Sequence, residues 1–317
     1  MKLYGKEPLT ELLVDVAGEN RLPHAILLTG EKGSGRRTMA KFIAKQFMCG
    51  AVPCESCTVC NKIDVDGHPD IIYVQQKCSG GKYNIDDVRE YVSRNAAVKP
   101  NDGDVKIYVF ENSDELSTAI QDTLLKNIEE PEPWNRFIFL CENAGNLLTT
   151  IRSRVTEYRV PECSPEQCCE CLVREFGVDR GKAKELSQTM SGNIGKCLDV
   201  LNGGDEVKLM ETARHIAAGI AKKSGYMVCA ALAEQSGRKE YAAALEYLAG
   251  ILRDALAVRA GGELCSCGKT EAKAVAKVYD EAAVAAMLDK VFEVNSAGAL
   301  NLNLALCSAY LTSGLDL

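Results

Sequence analysis

The apolar run Ala25-Ile-Leu-Leu-Thr-Gly30 leads straight into the glycine-bearing segment Glu31-Lys-Gly-Ser-Gly35 and then into a helix-patterned stretch. An uncharged run of this length ending in glycine reads as a strand buried on both faces, which is the habit of parallel sheets. Met39, Phe42, Ile43 and Phe47 recur at helical spacing and give the following helix one apolar side. Further β-type runs fall at Ile71–Gln75, Lys106–Phe110 and Arg136–Cys141, with helical stretches near 84–97 and 115–129 between them. Strands alternating with helices predict an α/β domain closing around Pro161.

An amphipathic helix with Leu9, Leu12, Leu13 and Val16 on one side precedes this region. After it, Ser164-Pro165-Glu166-Gln167 carries an N-cap, a proline at the first helical position and a capping-box glutamine. From there the pattern is all-helical. Tyr241, Leu245, Leu248, Leu252 and Leu256 form one stripe of a long helix. The expected fold class is therefore α/β followed by all-α.

At 317 residues the chain has room for two or three domains. Its net charge of −7 argues against a protein that grips nucleic acid by overall charge, and 6% aromatics leave few surfaces for stacking bases. No apolar run is long enough to span a bilayer, and the N-terminal stretch mixes charge with apolar residues. A soluble, cytoplasmic protein is expected, with no membrane contact.

The segment Gly30–Thr38 sits where a phosphate-binding loop of pattern G-x-x-x-x-G-K-[ST] belongs. Gly30, Gly33 and Gly35 suit backbone cradling of a phosphate at a helix N-terminus. However, Arg36 replaces the lysine and Arg37 the magnesium-binding hydroxyl. Thr38 is no substitute, because one residue along a helix turns the side chain by ~100°. A guanidinium ~4 Å from a cation repels a unit charge by roughly 4 kcal/mol at an effective dielectric of 20, and Mg²⁺ is divalent. After the strand Lys106–Phe110, Glu111-Asn112 stands where an ATPase would place Asp-Glu. Asn112 cannot take a proton, and a lost general base costs ~10²–10⁴ in rate. The degenerate site (Gly30, Gly33, Gly35, Arg36, Arg37, Thr38, Glu111, Asn112) is expected not to hydrolyse Mg-ATP. The same loop could also be a plain glycine-bearing βα turn.

Fifteen cysteines are many for such a chain. Cys49, Cys54, Cys57 and Cys60 form C-x4-C-x2-C-x2-C, a spacing that lets four thiolates share one tetrahedral Zn²⁺. No open position for water is implied, so the expected zinc is structural. The competing explanation is a general richness in cysteine, which accounts for Cys168, Cys169, Cys171, Cys265 and Cys267.

In this order the elements resemble the delta-prime subunit family of the bacterial DNA polymerase III clamp loader, a relative of the AAA+ ATPases. The resemblance rests on Leu22-Pro-His-Ala25, the degenerate loop, the four-cysteine insert, His68-Pro-Asp70, Ile85–Glu90, Lys99-Pro100, Thr123–Pro131 and Thr150-Ile-Arg-Ser-Arg-Val155. It covers about the first 200 residues well and the C-terminal helices more loosely. Val155 replaces the cysteine of the last motif, Cys141-Glu142 replaces a small polar sensor, and Gly195 replaces a sensing arginine, with Lys196 beside it.

The resemblance implies a RecA-like AAA+ domain at 1–162 with a zinc-binding insert at 49–60, a small helical lid at 163–206 and a helical collar at 207–317. It implies a clamp-loader hetero-pentamer with gamma/tau motor subunits and a delta subunit, touching the sliding clamp and reaching primer-template DNA through the complex. Arg154 would then act in trans as an arginine finger on a neighbour's ATP, and this chain would be a subunit of a polymerase holoenzyme without ATPase activity of its own. Leu300, Leu302, Leu304 and Leu306 with Asn301 and Asn303 match the last collar helix. An active motor ATPase and a free-standing zinc-bearing DNA-binding protein are the two other readings.

Overall fold

The computed structural model describes residues 2–234, 237–298 and 303–313. The first unit comprises residues 1–176 with 192–195, and the second 177–191 with 196–317.

In the first unit the elements run α1 (Glu7–Gly18), β1 (Ala25–Thr29), α2 (Arg36–Met48), α3 (Thr58–Asp64), β2 (Ile71–Tyr73), α4 (Val74–Lys77), α5 (Ile85–Val88), β3 (Lys106–Phe110), α6 (Thr118–Glu129), β4 (Asn135–Cys141), α7 (Thr149–Arg152), β5 (Thr156–Arg159) and α8 (Pro165–Phe176). The five strands form one sheet in the order β2-β3-β4-β1-β5, and every neighbouring pair is parallel. All five residues of β1 and of β3 are buried, as their largely apolar sequences require of central strands.

Alternation divides the strand side chains between two cores. Leu27, Tyr108, Phe110, Phe137 and Phe139 pack on one face, and Ile26, Leu28, Ile107, Val109, Ile138 and Leu140 on the other. The Phe110 and Phe139 rings stack at 4.7 Å, and those of Tyr108 and Phe137 at 5.5 Å. Burying each such ring contributes about 1.5–3 kcal/mol. Lys106 opens β3 yet is 2% exposed, because its ammonium donates to the Asn95 and Val98 carbonyls and to Asn95 Oδ1. Burial pushes its pKa down.

Two sequence expectations need correction, and one strand lies outside those expected. The run Ile71–Gln75 stops being a strand at Tyr73, where the chain turns into α4. The stretch near 84–97 is split into α5 and a wide turn of π type at Arg89–Arg94. The edge strand β5 was not anticipated. Most of its residues are exposed, so it lacks the apolar run that marks the other strands.

The capping box behaves as its sequence dictates. Ser164 N–H donates to Gln167 Oε1 at 3.0 Å, and Gln167 N–H donates to Ser164 Oγ at 3.2 Å. Cys168, Cys171 and Leu172 form the buried side of α8.

The second unit is helical. α9 (Arg180–Thr189) is capped by Asp179, and α10 (Ile194–Leu201) continues into this unit from Lys196. Then come α11 (Asp205–Ala221), α12 (Gly225–Ala233), α13 (Arg238–Ala260), α14 (Lys269–Val278), α15 (Glu281–Gly298) and α16 (Leu304–Ser313). Tyr241, Leu245, Leu248 and Leu252 of α13 are buried at its centre, with Leu256 partly so. Of the leucine–asparagine stretch, Leu304 packs on this core and Leu306 is exposed, while Leu300, Asn301 and Leu302 lie outside the described residues.

Candidate functional site

The loop Gly30–Gly35 joins the C-terminal end of β1 to α2, and Gly35 takes the helix N-cap in a left-handed conformation, φ 95°. No side chain caps this end, so the first-turn N–H groups face outward as in an anion cradle.

Both arginines fold inward onto the strand ends. Arg36, 9% exposed, places Nη2 3.3 Å from Glu142 Oε1, just past β4. Its Nη1 and the neighbouring Ser34 Oγ are buried without a hydrogen-bond partner. Arg37 reaches Glu111 at the end of β3 through Nη1 and Asp66 Oδ2 at 3.1 Å through Nη2. Its guanidinium also lies 4.5 Å from the centre of the Tyr73 ring. Burial and the adjacent Asp66 carboxylate push the Tyr73 hydroxyl's pKa up.

Glu111 is held further by Gln76 Nε2 at 3.2 Å, while its carbonyl accepts from the Tyr83 hydroxyl. Asn112 is left-handed, φ 47°, and donates through Nδ2 to Gln75 Oε1 at 3.0 Å. It offers no basic atom in this setting. Thr38 is half-buried, one residue further round α2. The sequence placed Arg36, Arg37, Glu111 and Asn112 in one locality. It did not reveal that Glu142, Asp66, Tyr73 and Gln76 complete it, since these come from the end of β2, from α4 and from two loops, with no common motif.

The segment 192–195 buttresses the loop. Gly195 N–H donates to the Gly33 carbonyl at 3.1 Å, and Asn193 Nδ2 donates to the Lys32 carbonyl at 2.9 Å. A Cβ on Gly195 would stand 2.3 Å from Gly33 Cα, far inside contact distance.

The four cysteines converge as their spacing predicts. Their sulfurs all lie within 4.8 Å of one another, with Cys49–Cys54 at 3.6 Å and Cys49–Cys57 at 3.9 Å. A tetrahedron with metal–sulfur bonds of ~2.3 Å has edges of about 3.8 Å. The donor set therefore fits one thiophilic metal ion, held by four ligands.

Backbone N–H groups of Ser56 and Cys57 pull the Cys54 pKa down to about 6, and burial pushes Cys60 up to about 12. Lys45 of α2, 2% exposed, pins this module with Glu55 at 2.6 Å and Asp64 at 2.9 Å.

Arg154 follows α7 and is exposed, its Nε 2.7 Å from Glu129 Oε1 at the end of α6 and its Nη1 2.8 Å from the Thr150 carbonyl. Of the histidines, His24 bonds the Ile128 carbonyl at 2.9 Å, and His68 Nδ1 accepts from Asp70 N–H at 3.2 Å.

A parallel sheet whose first strand enters a helix through a glycine loop, with an acid closing a second strand, is the layout of P-loop α/β domains. Here Arg36 and Arg37 follow the loop in place of the lysine and hydroxyl of the P-loop pattern. The family model described as DNA polymerase III, delta subunit matches residues 5–164, half of the chain, and the chain belongs to that family. The DNA polymerase III subunit delta' of Bacillus subtilis (strain 168) is 31% identical over 200 residues, covering 62% of this chain and 59% of the relative. The DNA polymerase III subunit gamma/tau of Mycoplasma genitalium is 32% identical over 158 residues, covering 49% of this chain and 26% of that one. This chain thus spans under two thirds of either relative. A solved DNA polymerase III gamma subunit-related protein of Thermotoga maritima aligns over 96% of this chain and 97% of its own at 19% identity and a TM-score of 0.42.

Proposed function

We propose that this chain is a non-hydrolysing, delta-prime-like subunit of the DNA polymerase III clamp loader. The Arg37–Glu111 ion pair carries the reading. A magnesium ion in a P-loop ATPase links the loop hydroxyl to the acid at the strand end. In this chain the guanidinium already joins those two positions, and Asn112 offers no base.

Its role is to complete a ring with gamma/tau and delta subunits, with the sliding clamp and primer-template DNA engaged through the complex in the cytoplasm. Within the ring it presents Arg154 to a neighbour's triphosphate. The exposure of Arg154 supports this, since a finger must be free to leave a weak surface partner such as Glu129. We assign residues 1–162, 163–206 and 207–317 to AAA+ domain, lid and collar, and zinc to the cysteine cluster.

The 32% identity to a gamma/tau subunit favours, as a second reading, an active motor ATPase. Steady-state ATP turnover by the isolated chain with magnesium separates the two. Absence of turnover is expected, and turnover would establish the motor. Metal analysis of the purified chain beside Cys57→Ser should find one zinc in the first and none in the second. A folded, metal-free wild type would remove the zinc assignment.

A further inference from the structure

Away from the phosphate loop and the cysteines, the second unit holds a half-open cavity of about 470 Å³. Leu186, Val200 and Met210 give it an apolar lining, and Lys182, Arg214 and Lys269 contribute three cationic side chains. Lys269 is paired, its Nζ 2.9 Å from Glu185 Oε1. Arg214 donates through Nε to the Cys267 carbonyl at 2.7 Å, which uses one of its five N–H groups and sets the plane of the fork. The remaining donors of Arg214, and the ammonium of Lys182, have no ion pair among the described residues.

The wall beneath them is firmly built. Asp254, 6% exposed, accepts from the N–H groups of Cys265 at 3.1 Å and Ser266 at 2.8 Å. Ser266 Oγ in turn accepts from Gly268 N–H at 3.3 Å. This fixes the start of α14, whose N-cap Gly268 has no side chain to satisfy the first-turn amides. The acids in the lining do not cancel the positive balance. Glu185 is taken by Lys269, and Glu271 sits in the first turn of α14, toward that helix's own positive end.

We propose that this cavity binds a small, multiply charged anion of the phosphate-ester or polycarboxylate kind. Arg214 and Lys182 hold the charge, and the apolar lining receives the uncharged part of the ligand. The volume falls within the range of small-molecule sites.

Hydrogen exchange of the full chain, with inorganic pyrophosphate in one arm and citrate in the other, provides the test. Both are compared with sodium chloride at equal ionic strength. Slowed exchange of amides 269–271 that saturates with one of the anions is expected, and the responding arm tells phosphate from carboxylate chemistry. Arg214→Ala should abolish the effect. Lys182→Glu, at an exposed position that leaves folding intact, should weaken it by about tenfold. The proposal is overturned by amides unaffected at millimolar anion, by protection equalled in sodium chloride, or by protection unchanged in Lys182→Glu. Because the readout is local to α14, it does not depend on what the loop at Gly30–Gly35 binds.

Discussion

Arg36 and Arg37 are engaged in internal ion pairs with Glu142, Glu111 and Asp66, and on the proposed reading they take the place of a bound cation, an effect testable by exchange. Arg36→Lys with Arg37→Thr restores the ammonium and hydroxyl and releases Glu111. The double variant should gain magnesium-dependent nucleotide binding, about tenfold or more over wild type by equilibrium titration. It should still not hydrolyse ATP, because Asn112 remains. Arg154→Ala is expected to leave the thermal melt within about 0.5 kcal/mol of wild type, since its pair with Glu129 is surface-exposed on both sides. In the reconstituted loader, the same change should lower ATP turnover by about 10³-fold; an unaltered rate would remove the trans role. That arginines stand at 36 and 37 and an asparagine at 112 was legible in the residues themselves. What fills the space was not, because the partners Asp66 and Glu142 reach Arg37 and Arg36 only once the sheet has brought distant loop ends together.

Elements with a strong internal signal were read directly from sequence. β1 is an uncharged run, β3 is apolar after its opening lysine, α8 carries its capping box, and α13 carries one apolar stripe. Elements decided by their neighbours were not. β5 is a strand because it pairs with β1, from Ile26↔Thr156 to Thr29↔Arg159, and its own residues are mostly exposed. The cysteine module lies between these cases. Its ligands are fixed by spacing, whereas the clasp of Lys45 on Glu55 and Asp64 depends on the fold of α2 against α3. At this scale, Ser164→Ala should cost about 1 kcal/mol in denaturant unfolding through the lost bond to Gln167 N–H. A cost near zero would mean that α8 is held by packing alone.

Across the whole chain, burial keeps several thiols neutral, and this gives stability a definite pH dependence. Cys141 and Cys267 are raised to about 11, and Cys171 to about 12, with desolvation as the leading cause. An acid whose folded pKa exceeds its unfolded value of 9.0 contributes stability below pH 9 and loses it as pH rises toward 11–12. The melting temperature should therefore be insensitive to these groups from pH 7 to 8 and fall progressively above pH 9. A flat profile to pH 10.5 would show that they ionise as freely in the fold as outside it. The packing of Gly195 on Gly33 has a longer reach. With 2.3 Å separating any β-carbon there from the loop backbone, no side chain can be reintroduced at 195 unless the loop itself first gives way. A lysine or arginine at 195 would displace Gly33, so the loop and this short segment can change only together.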